Sequence, residues 1–412
     1  MFRAWPALSA EPHADGMRQA LTAGDDTPQN PRAAQAPEPS LIVRAGSPAA
    51  LLAVVPHLLG FVPEASLVVI GTGPPRHRIR VTLRYDLPDP SGAGIAADLA
   101  ADALGILGAQ RLPAAVAVGY GPETLVTPVA EALQEAAGSA GIALHDIMRV
   151  ENGRYWSYLC ANEACCPAAG VPFDASAHPA SAALARAGKQ VLAGRAAVAA
   201  RVAPLGGIAA ESMRQATGRA ERHVAQLLAK VGKSSRIGAA RRMIAAEGLA
   251  AVGAMIARYR SGGRFSTDYE IARITVALRD LRVRDDAWAR MDPAHAEAHQ
   301  RLWTDVVRRA QPGHVAAPSA LLAFVAWQAG DGALANVALD RALADDPGYS
   351  MALLLRQVIG AGAPPALARL PMTPEEVAAS YDGAEDEAFP GGEDDDHDLD
   401  TDDHDPDLDD EG

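Results

Sequence analysis

The sequence predicts a two-part fold: an α/β domain with a mixed sheet in the first half, then an all-α domain ending in a tetratricopeptide-like helical hairpin. Three observations predict it. Short Val, Ile and Leu runs alternate with helical segments through the first part of the chain. Beyond Ser181 such runs vanish and apolar residues recur at helical spacing. One late stretch places Gly330, Ala335, Ala342 and Pro347 at the offsets of the small residues and closing proline of a tetratricopeptide unit.

Each element has a local reason. Leu41-Ile42-Val43-Arg44 reads as a short strand. Ser47-Pro48 reads as an N-cap followed by Pro at the first helical position, opening a helix that Pro56 kinks and Gly60 ends. Ser66–Gly71 and Arg78–Leu87 are strands bounded by Gly and Pro. A helix follows from Gly94 to Gly108, and Ala114–Gly121 is a buried strand by its continuous apolar character. Thr127-Pro128 reads as the start of the next helix. Ile142–Val150 and Arg154–Leu159 pair through the turn Glu151-Asn152-Gly153, a hairpin expected at a sheet edge. Ser181–Val202, Glu211–Arg260, Thr267–Leu281, Leu302–Arg309, Pro318–Ala329 and Ala333–Ala344 read as helices, and Leu353–Ile359 begins another.

The chain has 412 residues and a formal charge of -14. Seventeen of its 51 acidic residues lie between Asp382 and Glu411, where there is no Lys or Arg, and the rest carries 34 acids against 37 bases. The body is therefore near neutral and the acidity is a tail. The expected division is a disordered leader over 1–39, the α/β domain over 40–170, the helical domain over 171–370 with its repeat-like unit near 318–360, and a disordered acidic tail over 371–412. Three cysteines within seven positions argue against a secreted disulfide scaffold. The N-terminus has no apolar h-region, and the most apolar stretch, Ala49–Gly71, is broken by Pro56, His57, Pro63 and Glu64. The expectation is a cytoplasmic protein with no membrane partner.

Blocks of this sequence resemble a known family. They are Pro48–Val69 with its His57, Gly60, Phe61, Pro63 and Glu64; Tyr155-Trp156-Ser157-Tyr158-Leu159-Cys160 followed by Cys165-Cys166-Pro167; Val276–Asp285; and Leu321–Leu355. Together they are similar to the bacterial proteins grouped as domain of unknown function 4192. The resemblance implies an intracellular protein of high-GC, actinobacterial type. It assigns no reaction and no catalytic residue.

Five constellations carry chemistry. Cys160, Cys165 and Cys166 offer soft thiolate donors to a zinc ion, with His178 as a fourth ligand. The irregular spacing suits a loop of buried or redox-active thiols after an edge strand better than a metal site, and a disulfide from Cys160 to Cys165 or Cys166 is a third option. Gly119 and Gly121, with Glu123 and Thr124, lie between a buried strand and a helix, where open α/β sheets bind ligands. They match neither a dinucleotide fingerprint nor a P-loop, and the glycines also suit a tight turn. His57, at a helix end, is an acid-base or ligand candidate, or a cap facing its own helix's last carbonyls. His295 and His299 lack the Glu spacing of a metalloprotease and read as a solvated helix face. Arg214, Arg219, Arg222, Lys230, Lys233, Arg236, Arg241 and Arg242 form a basic stretch that Asp394–Glu411 would mask. The reading that follows is a protein that binds a small molecule or a protein partner. The alternative is an enzyme with its site near Gly119–Thr124, and nucleic-acid binding ranks third.

Overall fold

The structure, a computed structural model, describes residues 8–10, 43–89, 94–230, 237–263, 266–365 and 372–388. The first half alternates strand and helix as its apolar runs dictate. The elements are β1 (Leu8–Ala10), β2 (Val43–Ala45), α1 (Pro48–Leu59), β3 (Ser66–Gly73), β4 (Arg78–Asp86), α2 (Ile95–Ala109), β5 (Ala114–Tyr120), α3 (Glu123–Ser139), β6 (Ala143–Glu151), β7 (Arg154–Ser157) and β8 (Val171–Pro172). They form one mixed sheet in the order β2-β1-β4-β3-β5-β6-β7-β8. β5 and β6 are parallel because α3 crosses between them, while β3–β4, β3–β5 and β6–β7 are antiparallel.

Every residue of β3 is buried, as a central strand covered on both faces requires. Alternation sends Leu67 and Val69 into the core with α2 and α3, and Val68 and Ile70 into the core with α1. α1 begins as its sequence demands: Ser47 Oγ accepts from the Ala50 amide at 3.2 Å, and Gly60 closes it at φ 77°.

Several boundaries differ from the sequence reading, each for a physical reason. α3 begins at Glu123 rather than Thr127, because the Pro122 carbonyl accepts from the Leu125 and Val126 amides and leaves Pro128 inside the helix. β7 ends at Ser157, whose hydroxyl takes the amides of Leu159 and Cys160 and turns the chain. The Asn-Gly hairpin is not at the edge, since β8 pairs beyond β7. The expected leader lies outside the described residues except Leu8–Ala10, whose backbone pairs with β2 and reaches Arg78 on the open side of β4.

The second half is helical: α4 (Pro179–Arg186), α5 (Arg195–Arg201), α6 (Gly207–Ala229), α7 (Ile237–Arg260), α8 (Asp268–Ala277), α9 (Leu281–Ala289), α10 (Ala296–Arg309), α11 (Ala316–Gln328), α12 (Gly332–Asp345), α13 (Ser350–Gly360) and α14 (Pro374–Ala388). The expected helix over 181–202 is two, separated by Gly188 at φ 79° and Gly194. The one over 267–281 stops early because Asp280 caps a new helix through the Arg282 amide. α11 is buried from Ala316 to Trp327 and forms the axis of a core that includes Met213, Ile271, Trp303 and Leu339. α11 and α12 pack on each other across a short turn at Gly330, with Ala335 and Ala342 fully buried. Phe61, just after α1, packs into this helical core, and across the junction the Val62 amide donates to the Leu192 carbonyl while the Leu192 amide donates to the Gly60 carbonyl.

The start of the expected acidic tail is ordered. Thr373 and Glu376 form a reciprocal cap, Thr373 Oγ1 accepting from the Glu376 amide and Glu376 Oε2 accepting from the Thr373 amide. The helix they start, α14, buries Val377 against the body and packs along α9. Residues 389–412, including the masking segment Asp394–Glu411, lie outside the described residues.

Candidate functional site

The three cysteines converge because two short side chains shape their loop. Ser157 Oγ, at the end of β7, donates to Asp146 Oδ1 on β6 at 2.6 Å and accepts from the Cys160 amide at 3.1 Å. Asn162 then makes a tight turn: its Oδ1 accepts from the Ala164 amide, and its backbone carbonyl accepts from the amides of Cys165 and Cys166 at 3.1 and 2.8 Å. The turn brings Cys165 Sγ to 3.1 Å from Cys160 Sγ, and Cys166 Sγ to 3.6 Å from Cys165 Sγ. All three sulfurs lie within 4.8 Å of one another.

Their proton affinities differ. Hydrogen bonds from Cys165, the Asn162 backbone and Cys166 pull the Cys160 thiol below its ordinary value. The bond to Cys160 raises Cys165. Burial, with its bonds to the other two thiols, pushes Cys166 up to about 12. Cys160 is therefore the first thiolate and its neighbours are donors to it. Cys165 is exposed and the other two are half-buried.

His178 does not complete this set. It stands at the N-cap of α4, where Nδ1 accepts from the Ala180 amide at 3.1 Å, and it lies outside the group of converging sulfurs. The expectation of a histidine fourth ligand fails because the ring serves α4 instead.

The residues at the strand ends occupy the other face of the sheet. Gly119, next to last in β5, pairs with Arg149 of β6. A Cβ on Gly119 would fall 2.3 Å from Val126 Cγ1, so this glycine lets α3 lie close on β5. Gly121 adopts φ 149°, and Glu123 and Thr124 form the first turn of α3. Beneath them sits a residue the sequence reading missed. Arg149 is buried, its guanidinium 3.8 Å from the Trp156 ring centroid, bonded to Glu151 Oε2 at 2.5 Å and 3.7 Å from Glu123 Oε2. Ile147 and Arg149 point to the α3 side, while Asp146 and Met148 point to the α1 side. The cysteine loop, held through Asp146, and the Gly119–Glu123 corner are therefore separate sites.

His57 joins neither. Its Nδ1 donates to the Lys189 carbonyl at 2.9 Å, and Nε2 meets Ser181 Oγ at 2.8 Å. The ring ties α1 to α4 and the following loop, rather than facing its own helix's carbonyls.

The remaining constellations resolve differently from their sequence reading. His299 is buried at 1% exposure and is no solvated face, while His295 is held to Asp292 Oδ2 at 2.6 Å. The helix turns His299 toward the core because Trp303 and Val306 share its face. In the basic stretch Arg214 pairs with Glu211, and the Arg219 guanidinium lies 5.8 Å from the Tyr269 ring. Lys233 and Arg236 lie outside the described residues.

With this geometry in place, comparison with known proteins decides the family. A family model described as Domain of unknown function (DUF4192) matches residues 48–366. The chain belongs to this family. No curated protein and no solved structure matches it. Both the cysteine loop and the Arg149 corner lie inside the DUF4192 region, and α14 lies outside it. Among the described residues no helix is long and apolar enough to cross a membrane.

Proposed function

We propose that this DUF4192 protein is a zinc-holding interaction protein of the cytoplasm, with Cys160, Cys165 and Cys166 as its metal ligands. The observation that carries the reading is the convergence of three sulfurs within 4.8 Å on one turn. Thiolates about 2.3 Å from a tetrahedral zinc sit about 3.8 Å apart, and the sulfurs here stand slightly closer, at 3.1 and 3.6 Å, with all three within 4.8 Å of one another. Zinc binding would displace the thiol protons, overriding the raised affinities of Cys165 and Cys166. Exposed Cys165 leaves the fourth position within reach of water or of a donor on a partner. A cytoplasmic setting keeps such thiols reduced.

The helical half supplies the interaction surface in this reading. The α11–α12 hairpin, with small Ala335 and Ala342 at its contact, is tetratricopeptide-like, and stacked hairpins of that kind bind proteins. A second reading places a small-molecule or enzymatic site at the Gly119–Thr124 corner and rests on Arg149. It is the weaker of the two, because Glu151 and Glu123 already balance that cation.

Native mass spectrometry of the full chain, with and without a chelator, tests the metal reading. The expected result is one zinc per chain, lost on chelation and absent in Cys160→Ser. A chain that stays bare after zinc is supplied would overturn it.

A further inference from the structure

The cysteine loop also holds two sulfurs poised to bond to each other. We propose that it is a redox-released metal site: oxidation joins Cys160 to Cys165 as a disulfide and frees the ion that the three thiolates hold. The release rests on the zinc reading above; the disulfide does not.

The pairing follows from the geometry. Cys160 Sγ and Cys165 Sγ stand 3.1 Å apart, so closing to a disulfide of about 2.05 Å needs a movement of about 1 Å. The backbone is already arranged for it. The Cys160 amide is fixed to Ser157 Oγ, and the Asn162 turn presents Cys165 opposite. Cys165 is exposed, so a small oxidant reaches the pair without opening the fold. Cys166 lies farther from Cys165, at 3.6 Å, and bonding adjacent cysteines would close a strained ring through one peptide unit. Once Cys160 and Cys165 are joined, Cys166 is the sole thiolate left, and one thiolate cannot make a structural zinc site.

The oxidant class is a hydroperoxide, hydrogen peroxide in the simplest case. The Cys160 thiolate attacks one peroxide oxygen and the O–O bond breaks. Cys160 becomes a sulfenic acid, and the departing hydroxide takes a proton to become water. The Cys165 thiolate then attacks the sulfenic sulfur, the S–O bond breaks, and a second water leaves after protonation as the S–S bond forms. Two electrons pass from the sulfurs to the peroxide, and zinc leaves with its charge unchanged. A dithiol reverses the step by exchange. Metal occupancy in this chain would then report oxidant level, although zinc itself has no redox chemistry.

The test uses the full zinc-loaded chain titrated with hydrogen peroxide. Free zinc is followed with a chelating dye, and disulfides by intact mass and by peptide mapping. Cleavage after Glu163 separates Cys160 from Cys165 and Cys166, so a bond between them appears as two joined peptides. The expected result is a loss of two hydrogens and one zinc per chain, both restored by dithiothreitol. Cys166→Ser should still form the bond and Cys165→Ser should not. Circular dichroism confirms that each variant is folded, and fragmentation of the joined wild-type peptides, after the remaining thiol is alkylated, shows independently of the variants whether that thiol is Cys166. A bond that requires Cys166, or one that leaves zinc in place, would overturn the proposal. A chain that takes no zinc yet forms the Cys160–Cys165 bond refutes the metal reading and the release with it. A chain that holds zinc and forms no bond refutes this proposal alone.

Discussion

Ser157 Oγ donates to Asp146 Oδ1 across 2.6 Å, holding a buried carboxyl beside the start of the cysteine loop. Burial raises that carboxyl from 3.8 to about 6, against the hydrogen bonds from Ser157 and the Ile147 amide, which favour its charged form. Between those two values the folded chain binds more protons than the unfolded one. Stability therefore falls as pH rises through the window and stays lower above it. At about 1.4 kcal/mol per unit, the cost at neutral pH is on the order of 2–3 kcal/mol. Asp146→Asn keeps an acceptor for Ser157 and removes the charge. It should stabilise the protein at pH 7.5 and change it little at pH 3.5, read by urea unfolding at both. The same effect at both pH values would show that the carboxylate carries no burial cost.

His299 has the opposite sign. Neither of its ring nitrogens has a hydrogen-bond partner among the described residues, and burial, with Arg260 nearby, lowers it from 6.5 to about 4. The unfolded chain takes up a proton in that window and the folded chain does not. Its contribution is complete above pH 6.5 and is lost as pH falls toward 4. His299→Leu removes this sensitivity. Relative to wild type, the variant should gain about 2–3 kcal/mol between pH 7.5 and pH 4.5 in denaturant midpoints. A constant difference across that range would mean that the imidazole takes up its proton as readily in the folded chain as in the unfolded one.

What the sequence revealed and what it hid have physical causes. β3 and β5 were legible because strands buried on both faces carry uninterrupted apolar runs, and α1 was legible because Ser47, Pro48 and Gly60 mark its ends locally. Pro128 misled because Pro so often opens a helix, whereas here the first turn forms ahead of it. α14 was masked by its acidity, although Thr373-Pro374-Glu375-Glu376 is a capping signature and Val377 and Tyr381 are spaced four apart. The cysteines were visible as ligands, but their convergence depends on the Asn162 turn and the Ser157–Asp146 bond. Arg149 and Trp156 meet only through the β6–β7 register, which no local pattern announces.

Gly119 offers a direct packing test. A methyl group there would overlap both Val126 methyls, at 2.3 and 2.9 Å, between elements fixed by the core. Gly119→Ala should destabilise the protein by about 1–3 kcal/mol. Val126→Ala should also destabilise alone, by opening a void. Combined, the two should cost less than their sum by at least about 1 kcal/mol, because the second makes room for the first. Strict additivity in equilibrium unfolding would show that α3 moves away from β5 freely, and that the glycine is not required for packing.

The helix that follows the DUF4192 region is attached by few groups, and their loss should be local. Tyr381 Oη donates to Asp285 Oδ2 at 2.6 Å, Arg282 pairs with Asp382 at 2.8 Å, and Val377 is the apolar anchor. Removing the tyrosine hydroxyl strips one charge-assisted bond, on the order of 1–2 kcal/mol, and leaves the Asp285 carboxylate to Arg284. Thr373→Ala removes half of the reciprocal cap at the other end of the helix, about 1 kcal/mol. Because α11 and its neighbours form a separate, much larger core, neither change should move the global unfolding midpoint much. Hydrogen–deuterium exchange should instead quicken over 374–388 alone, and more in the double variant than in either single one. Protection that stays unchanged there, or that falls equally across α11, would show that α14 is an integral part of the helical core rather than a strap laid along α9.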